Sequence, residues 1–264
     1  MTPSTAVLIG VTGGLGVALA RLLAQQGFRL VLSARRDTEA QTLMGESNGA
    51  IYMRADVSER ASVERLAAAA LEHLGRIDAV VNLAGISPRK RIEEYTVDDV
   101  EALLAVNVKG PIFTTQAFVP LLRKQPEGGI IVQVGGAVDG RVALPFQSAY
   151  AATRGALANY VQSANRELEG TNVLLSFFGP APSNTESESA YFDMWRKMGV
   201  ALVQPERVAR EILDTIRERR RLHVMGGWQL RTMSLVNALS PAAADRLALR
   251  RFTRIFERHG PTHS

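Results

Sequence analysis

Short, nearly unbroken apolar runs recur along the chain, and each is followed by a stretch in which apolar positions return every three or four residues. The runs are Ala6-Val7-Leu8-Ile9, Arg29-Leu30-Val31-Leu32-Ser33, Ile51-Tyr52-Met53, and residues 77–81, 129–134 and 172–178. Continuous runs of this length fit strands buried on both faces, not the in–out alternation of a sheet with one wet face. Between them the period changes. Residues 17–24 have helix composition, and residues 58–74 carry Val63, Leu66, Ala67, Ala70, Leu71 and Leu74 at helical spacing. Thr96-Val97-Asp98-Asp99 resembles a capping box with Asp in place of Glu, and opens a helix to about residue 123 that Pro111 should kink or interrupt. Further helices are predicted over 148–168 and over 205–221, where Val208, Ile212, Leu213 and Ile216 share one face. Strands alternating with helices predict an α/β fold with a doubly wound parallel sheet covered on both faces.

The first run leads into Gly10-Val11-Thr12-Gly13-Gly14-Leu15-Gly16 and then directly into a helix. Strand, glycine turn and helix together form the arrangement that holds a dinucleotide pyrophosphate: glycines let backbone approach the phosphates, and the helix N-terminus offers free N–H groups. A tight turn that needs glycine for steric reasons alone is the plainer reading of the same residues. No repeat, low-complexity segment or linker divides residues 1–264, which read as a single dinucleotide-binding domain.

Composition narrows the function classes. There is no cysteine, so disulfides and thiolate zinc sites are excluded, and none of the four histidines has metal-ligand spacing. No apolar run of membrane-spanning length and no secretory signal pattern is present, which gives a cytoplasmic expectation. The net charge of +5 is uneven: residues 205–264 hold 12 Arg and no Lys against six acidic residues, leaving the remainder near neutral. One basic C-terminal segment argues against a nucleic-acid-binding protein.

In this order the motifs resemble the short-chain dehydrogenase/reductase family over roughly residues 5–225. Gly10, Gly14 and Gly16 match its glycine spacing, although Ile9 stands where a Thr is usual. Asp56-Val57 follows the third strand, where the family binds adenine. Asn82-Leu83-Ala84-Gly85 matches its Asn-Asn-Ala-Gly turn with Leu83 for the second Asn; Asn107 matches the helix Asn of its catalytic set, and Tyr150 the catalytic Tyr. The resemblance implies a Rossmann-type sheet of about seven strands with residues 222–225 as the last, and a homodimer or homotetramer acting on a small-molecule substrate. It also implies a cofactor site of Gly10, Thr12, Gly13, Gly14, Leu15, Gly16, Asp56, Val57, Asn82, Ala84, Gly85, Tyr150, Arg154, Gly179 and Ser183. Ser183 takes the place of the family's nicotinamide-binding Thr, with Thr185 as the alternative, and Phe178 replaces a Pro ahead of them. After the second strand the chain reads Ser33-Ala34-Arg35-Arg36. A carboxylate there would select NAD, whereas two guanidinium groups suit a 2′-phosphate, so the expected cofactor is NADP(H). Asp37 lies beyond that place and is expected to cap the next helix.

The catalytic set departs from the family's Asn, Ser, Tyr and Lys. Tyr150-Ala151-Ala152-Thr153-Arg154 has Arg where Lys belongs. Arg154 still supplies a positive charge and donors for ribose hydroxyls, but it does not readily release a proton. Gly136 or Ala137 stands at the Ser position, which removes a donor to the substrate oxygen, a loss of roughly 10²–10³ in rate by analogy with an oxyanion donor. Ser148, Gln133 and Asp139 are candidates to compensate. Three functions stay open: an NADP(H)-dependent oxidoreductase acting on a carbonyl or alcohol, an NADP(H)-binding sensor or scaffold without turnover, and a non-redox enzyme using the same pocket. Residues 186–204 read as a substrate lid whose aromatic and Met residues suggest an apolar or aromatic substrate, or simply pack the lid onto the sheet. Arg89-Lys90-Arg91 reads as a solvated loop, with binding of an acidic substrate as the alternative. Residues 226–264 read as a helical extension over the substrate mouth or against a second subunit, with a basic helix on an anionic membrane surface as the sharper alternative.

Overall fold

The six apolar runs become β1 (Thr5–Ile9), β2 (Arg29–Ala34), β3 (Ile51–Arg54), β4 (Ala79–Asn82), β5 (Gly129–Val134) and β6 (Val173–Gly179) of one sheet, and β7 (Leu222–Val224) is the seventh strand. The structure, a computed structural model, describes residues 4–36, 44, 49–136, 143–246 and 250–259. All seven strands are parallel, in the order β3-β2-β1-β4-β5-β6-β7. The helices are α1 (Gly14–Gln25), α2 (Arg60–Leu74), α3 (Val97–Leu104), α4 (Gly110–Arg123), α5 (Ser148–Glu167), α6 (Phe192–Lys197), α7 (Pro205–Arg217), α8 (Gly227–Leu239), α9 (Pro241–Ala244) and α10 (Arg250–His259).

Successive residues of each strand serve opposite faces. Ala6 and Leu8 pack with Leu19 and Leu23 of α1 and Val208 and Ile212 of α7. Val7 and Ile9 pack with Leu66 of α2, Phe118 and Leu122 of α4, and Leu157 of α5. Both faces are dry, which is why the strands read as unbroken apolar runs. Leu122 is fully buried in the second layer, where truncation to Ala costs about 2–5 kcal/mol.

Two local features position the site. The chain passes from β1 to β2 on one side and only later to β4 on the other, so the carboxyl ends of β1 and β4 part to leave a crevice. The helix expected to kink at Pro111 instead takes a π-helical turn, Ala105–Lys109, between α3 and α4. Pro111 has no N–H to donate and follows immediately as the second residue of α4; the widened turn accommodates it and carries Asn107 inward. Beyond β6 the chain forms a 3-10 turn, Glu186–Tyr191, and then α6. The C-terminal α10 lies on this segment, through Phe252 and Phe256 against Met194 and Trp195.

Candidate functional site

A cavity of about 530 Å³ opens at the carboxyl ends of the central strands. Its wall includes Gly10, Thr12, Gly13, Gly14, Leu15, Gly16, Arg35, Arg36, Asp56, Val57, Ala84, Gly85, Tyr150, Arg154 and Ser183. Thr185 lines it as well. Asn82, Asn107 and Gly179 are not on the wall. The Asn82 side chain is spent within the fold, its Nδ2 donating to Gln133 Oε1 at 3.0 Å and its Oδ1 accepting from Ala84 N at 3.1 Å. It shapes the Ala84-Gly85 turn from behind. Gly179 provides clearance, since a Cβ there would stand 2.6 Å from Gly136 O.

The glycines of the first turn divide by role. Gly10 has φ +85°, and a Cβ would meet Ala84 N at 2.7 Å; at Gly16 a Cβ would meet Val11 Cα at 2.5 Å. Both are required by the turn itself. Gly13 has open space where a Cβ would point. It is the N-cap of α1, and neither a side-chain cap nor a first-turn acid satisfies the helix N-terminus. The first amides of α1 therefore face the cavity with the dipole favouring an anion.

Arg35 and Arg36 are exposed at the end of β2 and pair with no carboxylate among the described residues. Tyr52 fixes the strand end beneath them, its hydroxyl donating to Ala34 O at 2.9 Å and Arg36 O at 3.0 Å. Asp56 is held by Ser58, whose N and Oγ donate to its Oδ1 at 2.9 and 2.6 Å. Asp37 lies outside the described residues.

At the other end, α5 presents Tyr150 and Arg154 one turn apart, both buried and both on the wall. Asn165 anchors this helix to β6 by exchanging two hydrogen bonds with the Leu175 backbone, at 2.8 and 3.0 Å. The Arg154 guanidinium carbon lies 4.9 Å from the Tyr150 ring centroid. Its Nη2 reaches Asn107 Oδ1 at 3.5 Å, while Nε and Nη1 are buried without a partner. Donors buried in this way are costly unless an acceptor arrives. Gly85 makes room for the longer side chain, since a Cβ there would lie 2.6 Å from Arg154 Nη2. Asn107 pins the β4 loop, its Oδ1 accepting from Ile86 N at 3.0 Å and its Nδ2 donating to Ile86 O at 2.8 Å and Thr153 Oγ1 at 3.2 Å. It organises backbone and reaches Arg154 from behind the wall.

Of the candidates to replace the missing serine, Gln133 is committed elsewhere: its amide donates to Pro111 O and Thr115 Oγ1 and accepts from Asn82. Ser148 is exposed and is not on the wall. Ala137 and Asp139 lie outside the described residues. A Cβ on Gly136 would overlap the Tyr150 hydroxyl, so the phenol rests directly over that glycine. Gln147, three residues before Tyr150, is buried and lines the cavity. Sequence reasoning missed it, although its spacing from Tyr150 on a helix start was the available signal.

The reading of Arg89-Lys90-Arg91 as a solvated loop holds for Arg91, which is exposed, and fails at Arg89. Arg89 is only 4% exposed. Its Nη2 donates to both Glu188 carboxylate oxygens at 3.0 and 3.1 Å, and its guanidinium stacks 3.8 Å above the Tyr191 ring. Glu188 also accepts from Trp195 Nε1 at 2.8 Å. Lys90 Nζ donates to Asp99 at 2.6 Å. Arg89, Glu188 and Trp195 all line the cavity. Met194 packs instead beneath α10, so only part of the aromatic and Met content of this segment faces the cavity.

The sequence matches the short chain dehydrogenase family over residues 4–194. An "uncharacterized oxidoreductase" of Listeria innocua is 31% identical over 218 residues, 77% of this chain and 86% of that protein. Another, of Bacillus subtilis, is 30% identical over 254 residues, 91% of this chain and 70% of that protein. Among solved structures, a short chain dehydrogenase from Burkholderia cenocepacia in complex with NADP is similar with a TM-score of 0.76 at 26% identity, over 84% of this chain and 95% of that one. A 3-ketoacyl-(acyl-carrier-protein) reductase from Brucella melitensis complexed with NADH shares the fold, with a TM-score of 0.75 at 22% identity over 84% of this chain and 95% of that one.

Proposed function

The chain belongs to the short-chain dehydrogenase family, and on that premise we propose that it is an NADP(H)-dependent oxidoreductase acting on a carbonyl compound or the corresponding alcohol. The observation that carries this reading is a single shared cavity, with the glycine turn and Arg35-Arg36 on its wall together with Tyr150 and Arg154. The dinucleotide fits the residues present. The uncapped N-terminus of α1 suits its pyrophosphate. Arg35 and Arg36 suit a 2′-phosphate. The partnerless Nε and Nη1 of Arg154 suit ribose hydroxyls.

When bound, the cofactor supplies or accepts the hydride. Tyr150 holds the proton for the carbonyl oxygen on its phenol and takes one back in alcohol oxidation. Arg154 keeps a fixed positive charge beside the phenol and holds the cofactor, but stays protonated, so the proton lost by Tyr150 is replaced along another route. Ile86 and Leu144, which pack against the cluster of Leu103 and Tyr150, line the cavity together with Trp195, which supports a substrate with an apolar or aromatic body.

Dissociation constants for NADPH and NADH, followed by NADPH oxidation across a panel of carbonyl compounds with Tyr150→Phe in parallel, test the reading. NADPH is expected to bind more tightly than NADH. Replacing Arg35 and Arg36 together by Ser is expected to weaken NADPH binding about 10–100-fold while sparing NADH. Tyr150→Phe is expected to lower turnover about 10²–10⁴-fold with NADPH affinity kept. Equal affinity for the two cofactors would remove the NADP assignment. A second reading, binding without turnover, is favoured by Gly136 having no side chain to hold a substrate oxygen and by Gln133 being committed to the fold. Tight NADPH binding with no oxidation on any carbonyl would select it.

A further inference from the structure

The start of α5 depends on a residue in an unfavourable backbone conformation. Phe146 has φ +63°, a left-handed geometry that a bulky side chain adopts only where its surroundings enforce it. The next residue, Gln147, is the N-cap residue of α5, and its carbonyl accepts from Ala151 N at 2.7 Å. Tyr150 lies in that first turn. Phe146 therefore stands at the turn that leads into the helix carrying the phenol.

Two sets of contacts enforce that angle. The Phe146 carbonyl accepts from Lys90 N at 3.0 Å and from the Tyr95 hydroxyl at 3.5 Å. Its ring is stacked face to face on Phe256, with centroids 4.0 Å apart and planes 10° from parallel. Phe256 is itself backed by Phe252 at 6.5 Å, which meets the Trp195 ring edge-on at 6.3 Å. Phe252 and Phe256 are both buried. They belong to α10, outside the stretch matched to the family, which ends at residue 194.

We propose that Phe256 is a positioning residue: its stack on Phe146 holds the left-handed turn that starts α5, and through it the C-terminal helix fixes the placement of the Tyr150 phenol. The catalytic meaning of this placement rests on the proposed redox role of Tyr150. The structural link stands on the stack and the dihedral angle alone.

The test uses the full chain as Phe256→Ala, Phe256→Tyr and the double variant Phe256→Ala/Phe146→Gly. Backbone hydrogen exchange over residues 144–152 is read beside NADPH affinity and NADPH oxidation with 9,10-phenanthrenequinone as the probe. Phe256→Ala is expected to exchange at least tenfold faster over 144–152, with the β1–α1 region unchanged, NADPH affinity within about twofold and kcat down at least tenfold. Phe256→Tyr keeps a stacking ring and should match the parent. Glycine adopts the left-handed conformation without cost, so the double variant should recover part of both the protection and the kcat lost in Phe256→Ala. Unchanged exchange over 144–152 in Phe256→Ala, or no recovery in the double variant, overturns the proposal. If Phe256→Ala loses protection throughout the chain, Phe256→Leu, which keeps buried volume without the stacked ring, takes its place in the same comparison. A parent protein that does not reduce the quinone speaks against the redox reading only, and the exchange comparison still decides the role of Phe256.

Discussion

At Gly136 the Tyr150 hydroxyl occupies the volume that a side chain would need. Placing a serine at this position, one of the two candidates with Ala137, is therefore not a repair. Gly136→Ser is expected to push the phenol out of place and lower kcat at least tenfold, with NADPH affinity kept; steady-state kinetics beside a binding titration checks it, and a gain in kcat would show that the phenol can move aside. Gly85 and Arg154 form a second coupled pair, because the missing Cβ at Gly85 is what lets the guanidinium fit. The clash in Gly85→Ala falls on the end of a flexible side chain, so it should disturb cofactor binding more than folding.

Residues of this kind mark the limit of what the chain reveals by itself. Gly16 was legible because its constraint, Val11, lies in the same turn, and Gly10 because that turn demands its φ of +85°, although a Cβ there would also meet Ala84 at the end of β4. Arg89 was misread because its partner Glu188 is 99 positions away; in sequence, a buried arginine and a solvated one look the same. Asn82 was assigned to the cofactor because its motif was recognised, whereas its amide is consumed by Gln133, 51 positions on. Phe146 carries no signal of its left-handed angle, since that angle is imposed by Phe256 from the far end of the chain.

Among the elements, α3 joins local sequence to the site. Thr96 and Asp99 form the expected capping box, with Asp99 N donating to Thr96 Oγ1 at 3.2 Å and Thr96 N donating to Asp99 Oδ2 at 2.9 Å. The same carboxylate accepts from Lys90, the residue after the buried Arg89. The Lys90 ammonium, together with the Thr96 backbone and hydroxyl, lowers the Asp99 carboxyl from 3.8 to about 2. A depressed carboxyl stabilises the fold above its unfolded pKa, and that contribution is lost as the pH falls through the folded value. Asp99→Asn should therefore melt below the parent at pH 7, with the gap in Tm closing between pH 4 and pH 2. Thermal melts across that range check it, and a gap that persists at pH 2 would mean that the cap, not the charge, carries the effect.

Over the whole molecule, the excess positive charge of residues 205–264 raises the question of whether α10 rests on a membrane. The fold has already used its apolar face: Phe252 and Phe256 are buried against Trp195 and Phe146. Arg246, Arg250, Arg254 and Arg258 remain exposed. Charge alone contributes about 1 kcal/mol per basic residue at an anionic surface, so these four supply about 4 kcal/mol, a dissociation constant near 1 mM. Inserting the two phenylalanines would add about 1.5–3 kcal/mol each, but only by exposing the surface of α6 and Phe146 that they now cover, and the two terms offset. The expected result is no sedimentation with phosphatidylserine-containing vesicles at 0.15 M salt, with or without residues 229–264. Binding that survives that salt, and is lost when those residues are removed, would show that α10 leaves α6, and Phe256 would then be free to release the Tyr150 turn at a membrane.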